Sequence, residues 1–169
     1  MRHAYGIATD TPDLIRAIWA EAKPNYHDGG AWFELYSSLV HQHSTYSATY
    51  AAVPHLLALI ETGTIEQRAA VLCLAGEILI FGNADEAIPD DLWPAFRDAL
   101  DLARRHSLAI VREAGRANIL DPNSMGPNLG DLIQAFGGLR HSKSGYVVQL
   151  GYIVREGWRV EVQCPLCRE

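Results

Sequence analysis

What the sequence lacks narrows the field first. No stretch approaches the roughly 18 uncharged apolar residues of a membrane-spanning helix. The most apolar window, Val71 to Phe81, is short and is interrupted by Glu77. No apolar run after Met1-Arg2-His3-Ala4-Tyr5-Gly6 reads as the core of a signal peptide. There are only three cysteines, and two of them share one turn, Cys164-Pro165-Leu166-Cys167. A secreted disulfide framework has an even, spaced set instead. These absences point to a cytoplasmic protein with no membrane partner. Positive charge is in the minority, with 14 Lys and Arg against 20 Asp and Glu for a net charge of −6. Sequence-independent nucleic-acid binding is driven by neutralising phosphates, so such a chain is a poor candidate for it. It is a better candidate for meeting a basic protein. Gly-rich phosphate loops, a Gly-x-Ser-x-Gly elbow and a His-Glu-x-x-His pair are all missing, so no motif spells out a reaction.

What is present is a chain of 169 residues, 49% of them apolar. That length allows one domain to bury roughly 70% of the surface its unfolded chain exposes, without staples. Helical periodicity dominates. A first helix is predicted with Thr11 as N-cap and Pro12 at its first position, ending before Lys23-Pro24. A second spans about Ala31 to Gln42, and a third about Thr45 to Thr62 with a kink at Pro54 and Gly63 closing it. Thr64 and Gln67 have the spacing of a capping box for a fourth helix, whose body is apolar on more than one side and so should be buried between neighbours. A fifth runs from about Pro89 to Ala117, as one helix or as two broken near His106-Ser107. A loop follows over Asp121 to Gly130, then a sixth helix over about Leu129 to Arg140 and a seventh segment from Tyr146 to Val154 that fits a helix or a strand. Trp158 to Cys164 alternates apolar and polar residues as a short strand does. The expected fold is all-α, a stack of antiparallel helix pairs over residues 1–157, with a strand and Cys-x-x-Cys tail over residues 158–169 in the same compact domain.

Two segments carry a resemblance. Gln67 to Ile78 places an Arg before small residues, then Leu74, Gly76 and Ile78, and it resembles the second helix of a HEAT repeat. The preceding helix, with Pro54, resembles a HEAT first helix. Leu39 to Leu56 resembles a signature of bacterial HEAT-like (armadillo-like) proteins through His41, Gln42, Ser44, Tyr46, Ala48, Thr49 and Pro54, with a one-residue shift at the Ser position and His43 where that pattern has Gly. The Cys164-to-Cys167 knuckle resembles their tails. The resemblance implies a short right-handed HEAT-like stack. It also implies, for some members, the role of an immunity protein against a bacterial toxin. Gly76 is then expected where a neighbouring backbone passes closely.

The candidate sites each have two readings. His41, Gln42, His43 and Tyr46 form a polar cluster at the predicted end of the second helix. They either bind a protein partner or cap helix ends, where His suits the negative end of the dipole. The His-x-His spacing also offers two zinc ligands. Cys164 and Cys167 offer two thiolates to a zinc ion that needs four ligands, with His141 or a second subunit as the source of the others; alternatively they cycle with a disulfide or do neither. Cys73 reads as a small core residue. The carboxylates Asp85, Glu86, Asp90 and Asp91 suggest acid–base chemistry or a divalent cation, but the stronger reading is that Asp90 and Asp91 precede or open the fifth helix, where anions suit the dipole. Trp19, Trp32, Phe33, Tyr36, Tyr46 and Tyr50 read as core more readily than as a recognition groove. The leading functional expectation is a protein-binding module without catalysis, either an immunity-type inhibitor or a scaffold. The alternatives are an enzyme of unfamiliar type with a pocket at His41, Gln42, His43 and Tyr46, and nucleic-acid binding through Arg104, Arg105, Arg112 and Arg116.

Overall fold

The structure is a computed structural model that describes residues 1–24, 29–41, 44–81, 88–117 and 119, together with 131, 132, 135, 136 and 139. Helices dominate. They are α1 (Thr11–Ala20), α2 (Ala31–Leu39), α3 (Ser47–Leu57), α4 (Leu59–Thr62), α5 (Ile65–Phe81) and α6 (Trp93–Ala117). Two antiparallel strand pairs interrupt the helical pattern: β1 (Arg2–His3) with β2 (Gly6–Ile7), and β3 (Val40–His41) with β4 (Ser44–Thr45). This corrects the all-helical expectation, which placed its one strand near the C-terminus. That predicted strand, the predicted loop over Asp121 to Gly130 and the segment from Tyr146 to Val154 lie outside the described residues. Of the predicted sixth helix, Asp131, Leu132, Ala135, Phe136 and Leu139 are described, and all are helical.

Helix boundaries follow local chemistry. The N-cap of α1 is Asp10, one residue before the Thr11 expected there. The Asp10 carbonyl accepts the amides of Asp13 and Leu14 at 2.9 and 3.0 Å, so the helix starts from it. Thr11 thereby becomes a first-turn residue and its hydroxyl loses the capping role. The second helix stops at Leu39 rather than Gln42, because Val40 turns extended (φ −132°, ψ 96°) and pairs across to Thr45. β-branched side chains favour that conformation. Pro54 lacks the amide that would bond the Tyr50 carbonyl, and the helical run is punctuated at Ala58 between α3 and α4, with Ala58 itself keeping helical dihedrals (φ −59°, ψ −27°) and its amide bonding the Pro54 carbonyl at 3.3 Å. Gly63 ends α4 with an extended backbone (φ −77°, ψ 166°), not the left-handed one, and its amide bonds the Leu59 carbonyl at 2.8 Å. The fifth predicted helix is continuous through His106-Ser107 but starts at Trp93, with residues 89–92 as the turn leading in.

The Thr64 capping box is present. The Thr64 amide donates to Gln67 Oε1 at 2.9 Å, and the Gln67 amide donates to Thr64 Oγ1 at 3.2 Å. Gln67 is buried and does a second job. Its Nε2 faces the carbonyls of Ile18, Trp19 and Glu21 at 3.1, 3.3 and 2.9 Å, satisfying the C-terminal end of α1. One side chain thus ties the end of α1 to the start of α5.

The core lies where α3 and α5 both pack on α6, with α1 and α2 packed together on the α3 side. Trp32, Leu35, Leu39, Leu56, Leu57, Ile60, Leu72 and Ile110 are almost wholly buried in it. Tyr50 of α3 meets Phe96 of α6 edge to face, 5.4 Å between ring centres. As the two-sided apolar pattern predicts, α5 buries Ala69, Ala70, Val71, Leu72, Leu74, Ala75 and Ile78 around its circumference. Gly76 is where the backbones come closest: a Cβ there would stand 2.5 Å from the Ala135 Cβ. The close approach expected of Gly76 is therefore met, by the helical segment that carries Ala135. The aromatic set divides. Trp32 and Tyr50 are core, Tyr36 and Tyr46 are half-buried, and Trp19 and Phe33 are exposed. No helix among the described residues is long and apolar enough to cross a membrane.

Candidate functional site

The site forms where the N-terminal hairpin meets the β3–β4 hairpin. The turn Ala4-Tyr5 joins β1 to β2, and Gly6 follows at φ 136°, a backbone that side-chain-bearing residues seldom adopt. Backbone bonds fasten this hairpin to the helical body. The Arg2 amide donates to Ser47 Oγ at 3.0 Å, and the Ala4 amide donates to the Ser38 carbonyl at 3.0 Å. His3 is buried beneath it. The Tyr5 amide donates to His3 Nδ1 at 3.0 Å, so the ring proton sits on Nε2, which donates to Asp10 Oδ1 at 3.0 Å. Both ring nitrogens are occupied, and His3 serves as a clasp between the hairpin and the start of α1 rather than as a base.

The β3–β4 corner is held from below. Thr49 is fully buried; its hydroxyl donates to the Leu39 carbonyl at 2.7 Å and accepts the Tyr46 amide at 2.9 Å. It joins the last residue of α2 to the residue that opens α3. Thr45 Oγ1 and Tyr50 Oη share a buried hydrogen bond of 3.0 Å. Most of the distinctive composition between Leu39 and Tyr50 thus builds a corner.

Of the four residues expected to bind a partner, His41 and Tyr46 are both half-buried, while Gln42 and His43 lie outside the described residues. His41 belongs to β3, not to a helix end, which removes the capping reading for it. Its Nδ1 lies 3.2 Å from Tyr5 Oη, and the two rings meet edge to face at 5.4 Å. Sequence reasoning missed Tyr5, which is 62% exposed, and its hairpin neighbours Met1 and Ile7 at 66% and 74%. The signal available was that the N-terminal segment carries large apolar residues with no helical period to bury them.

Beside this hairpin, α1 and α3 flank an open hollow of about 340 Å³. Its walls are Met1, Ala8, Thr11, Pro12, Ile15, Arg16, Ala48, Ala51, Ala52 and His55. Neither His41 nor Tyr46 lines it, and Gln42 and His43, the other two residues of the expected pocket, lie outside the described residues.

Cys164, Cys167 and His141 lie outside the described residues, as do Asp85 and Glu86. Among the described residues no group of three or more His, Cys, Asp or Glu is placed to hold a metal ion. Arg104 is not part of a free basic face: its Nε donates to the Leu139 carbonyl at 2.8 Å and its Nη1 pairs with Asp101 at 2.8 Å. Arg105, Arg112 and Arg116 are exposed on the same helix. Cys73 is half-buried against the core, and burial, followed by the Asp131 carboxylate, pushes its thiol well above its ordinary value. Glu77, one turn further along α5, is pushed from an ordinary 4.5 up to about 7 by burial first and by Asp131 second. Comparison with protein-family models, with curated proteins and with solved structures finds no match to this chain.

Proposed function

We propose that this chain is a protein-binding module with no covalent chemistry of its own, acting as an immunity-type inhibitor or a scaffold. Its contact face is the N-terminal hairpin together with His41 and Tyr46. The observation that carries this reading is the exposure of Met1, Tyr5 and Ile7, 62 to 74% accessible, on a hairpin fastened by hydrogen bonds to the helical body. Scattered exposed apolar residues are ordinary. Several together on one fixed element, beside an apolar hollow, are the composition of an interface. Tyr5 and His41 supply an aromatic body with a polar tip, which suits the centre of such a contact. The net charge of −6 favours a basic partner, whose approach it speeds. A HEAT-like arrangement belongs to this proposal. Its supports are the pairing of α1 with α2 and of α4 with α5, and the close approach at Gly76.

The test is capture of the tagged protein from its source cells at low and moderate salt, beside a Tyr5→Ser/Ile7→Ser variant whose helix content and melting are checked to be unchanged. The reading predicts one stoichiometric protein retained by the natural chain and lost by the variant. Equal retention by both, or a chain with no partner, overturns it.

A further inference from the structure

The exposed N-terminal turn hangs on a hydrogen bond that works in only one protonation state of His3. Nδ1 accepts the Tyr5 amide at 3.0 Å, while the proton on Nε2 goes to Asp10 Oδ1 at 3.0 Å. The ring is buried, so neither bond is readily traded for one to water. Imidazole is the side chain that changes charge between about pH 5 and 8. In the imidazolium both ring nitrogens carry hydrogen. The bond from Nε2 to Asp10 then survives and becomes an ion pair. The bond at Nδ1 does not survive. A backbone amide only donates, so two N–H groups would stand 3.0 Å apart. Turning the Ala4–Tyr5 peptide over brings the Ala4 carbonyl to Nδ1 in place of the amide, and Gly6, at φ 136°, follows directly in the chain. Tyr5 is exposed, so its freed amide meets water.

The other fastenings do not depend on a proton in this way. The Arg2 and Ala4 amides bond Ser47 Oγ and the Ser38 carbonyl, neither of which titrates in this range. Tyr5 Oη lies 3.2 Å from His41 Nδ1, and a hydroxyl either donates or accepts, so that contact tolerates both states of His41. Among the described residues around His3, Asp10 is the charged group bonded to the ring. The Tyr5 ring meets it edge-on at 6.2 Å between centres. Strand β2 has no titratable side chain. Helix α3 carries Tyr50, bonded to Thr45, and the exposed His55. On α1, Asp13 and Arg16 pair with each other. Met1 and Arg2, ahead of His3 on the chain, are exposed. Asp10 therefore supplies the counter-charge for a protonated His3, and the Tyr5 amide is the group displaced.

We infer that His3 is a proton-operated catch for the N-terminal turn: on protonation it keeps Asp10 and releases the Tyr5 amide, and the Tyr5 side chain leaves His41. As regulation of a protein contact this rests on the proposed function; the response of the turn to protons does not need it. The test is nuclear magnetic resonance of the 15N-labelled full chain, alone and under reductant, from about pH 7.5 to 5. The ring nitrogens of His3 report its titration. The Tyr5 amide resonance is expected to move along the same curve, and the Overhauser contacts between the Tyr5 and His41 rings to be lost at its acid end. The Arg2 and Ala4 amides and those of α6 stay in place. His3→Asn offers an acceptor oxygen that does not titrate, and its Tyr5 contacts persist throughout. His41→Asn leaves the response of the Tyr5 amide intact. A Tyr5 amide that ignores the His3 titration overturns the catch, as does a His3 ring that stays neutral down to pH 5. A response that persists in His3→Asn, or that His41→Asn abolishes, overturns the assignment to His3. The two curves in the natural chain decide the matter even where His3→Asn does not fold, and a failed partner capture leaves every one of these outcomes unaffected.

Discussion

Replacing Glu77 by Gln should make the protein more stable at alkaline pH and nearly unchanged in mild acid. Glu77 sits on α5, half-buried, with Asp131 as its electrostatic neighbour. Its carboxyl ionises near 7 in the fold against an ordinary 4.5, chiefly because burial penalises the charged form. The folded state thus holds the proton more tightly than the unfolded chain does. Below about pH 4.5 both states are protonated and the group contributes nothing. Between 4.5 and about 7 the unfolded chain ionises while the fold does not, so stability falls as pH rises. Above about 7 the full penalty is present and constant. At about 1.4 kcal/mol for each tenfold change in the ionisation equilibrium, that penalty is roughly 3 kcal/mol. Gln is the neutral isostere and never bears it. Urea unfolding of both proteins at pH 5, 6, 7 and 8 should show the variant within about 1 kcal/mol of the natural chain at pH 5 and ahead by roughly 3 kcal/mol at pH 8. A difference that stays flat across that range, or that favours the natural chain at pH 8, would refute the burial argument.

The remaining predictions concern packing and hydrogen bonding. Gly76→Ala forces a methyl into Ala135, where the obstruction includes backbone atoms, and should destabilise by about 1–3 kcal/mol or more, read as a lower urea midpoint. Thr49→Val keeps the shape but strips partners from the Leu39 carbonyl and the Tyr46 amide; an expected loss of roughly 2–4 kcal/mol is measurable by thermal unfolding. Gln67→Ala releases both the Thr64 amide and the end of α1. It should cost about 2–3 kcal/mol and speed hydrogen exchange in the last turn of α1.

How much of this was legible depends on the range of the interaction. The Thr64–Gln67 box is local chemistry at fixed spacing, and it was readable. So was the burial of α5, because residues such as Ala69, Leu72 and Leu74 fall on several faces of one helix. Strand β3 falls inside the predicted second helix because Leu35, Tyr36, Leu39 and Val40 keep helical spacing up to the point of failure. The competing signal, β-branched Val40 opposite Thr45, spans too few residues to show a period. The N-terminal hairpin is invisible for the same reason. The proposed face was half legible. His41 and Tyr46 stood out by composition, but Tyr5 lies 36 positions before His41, and sequence order carries no sign that they meet. The second task of Gln67, at the end of α1, is equally a product of tertiary structure.

On the proposed function, the N-terminal hairpin and the β3–β4 corner form the face that meets a protein. Amide hydrogen exchange of the chain, alone and in complex with its captured partner, tests that most directly. The expected result is slowed exchange over residues 2–8 and at residues 40, 41 and 44–47, with the exposed side of α6 around Arg105 and Arg112 unchanged. Protection confined to α6, with the hairpin exchanging as fast in the complex as in the free chain, would contradict it.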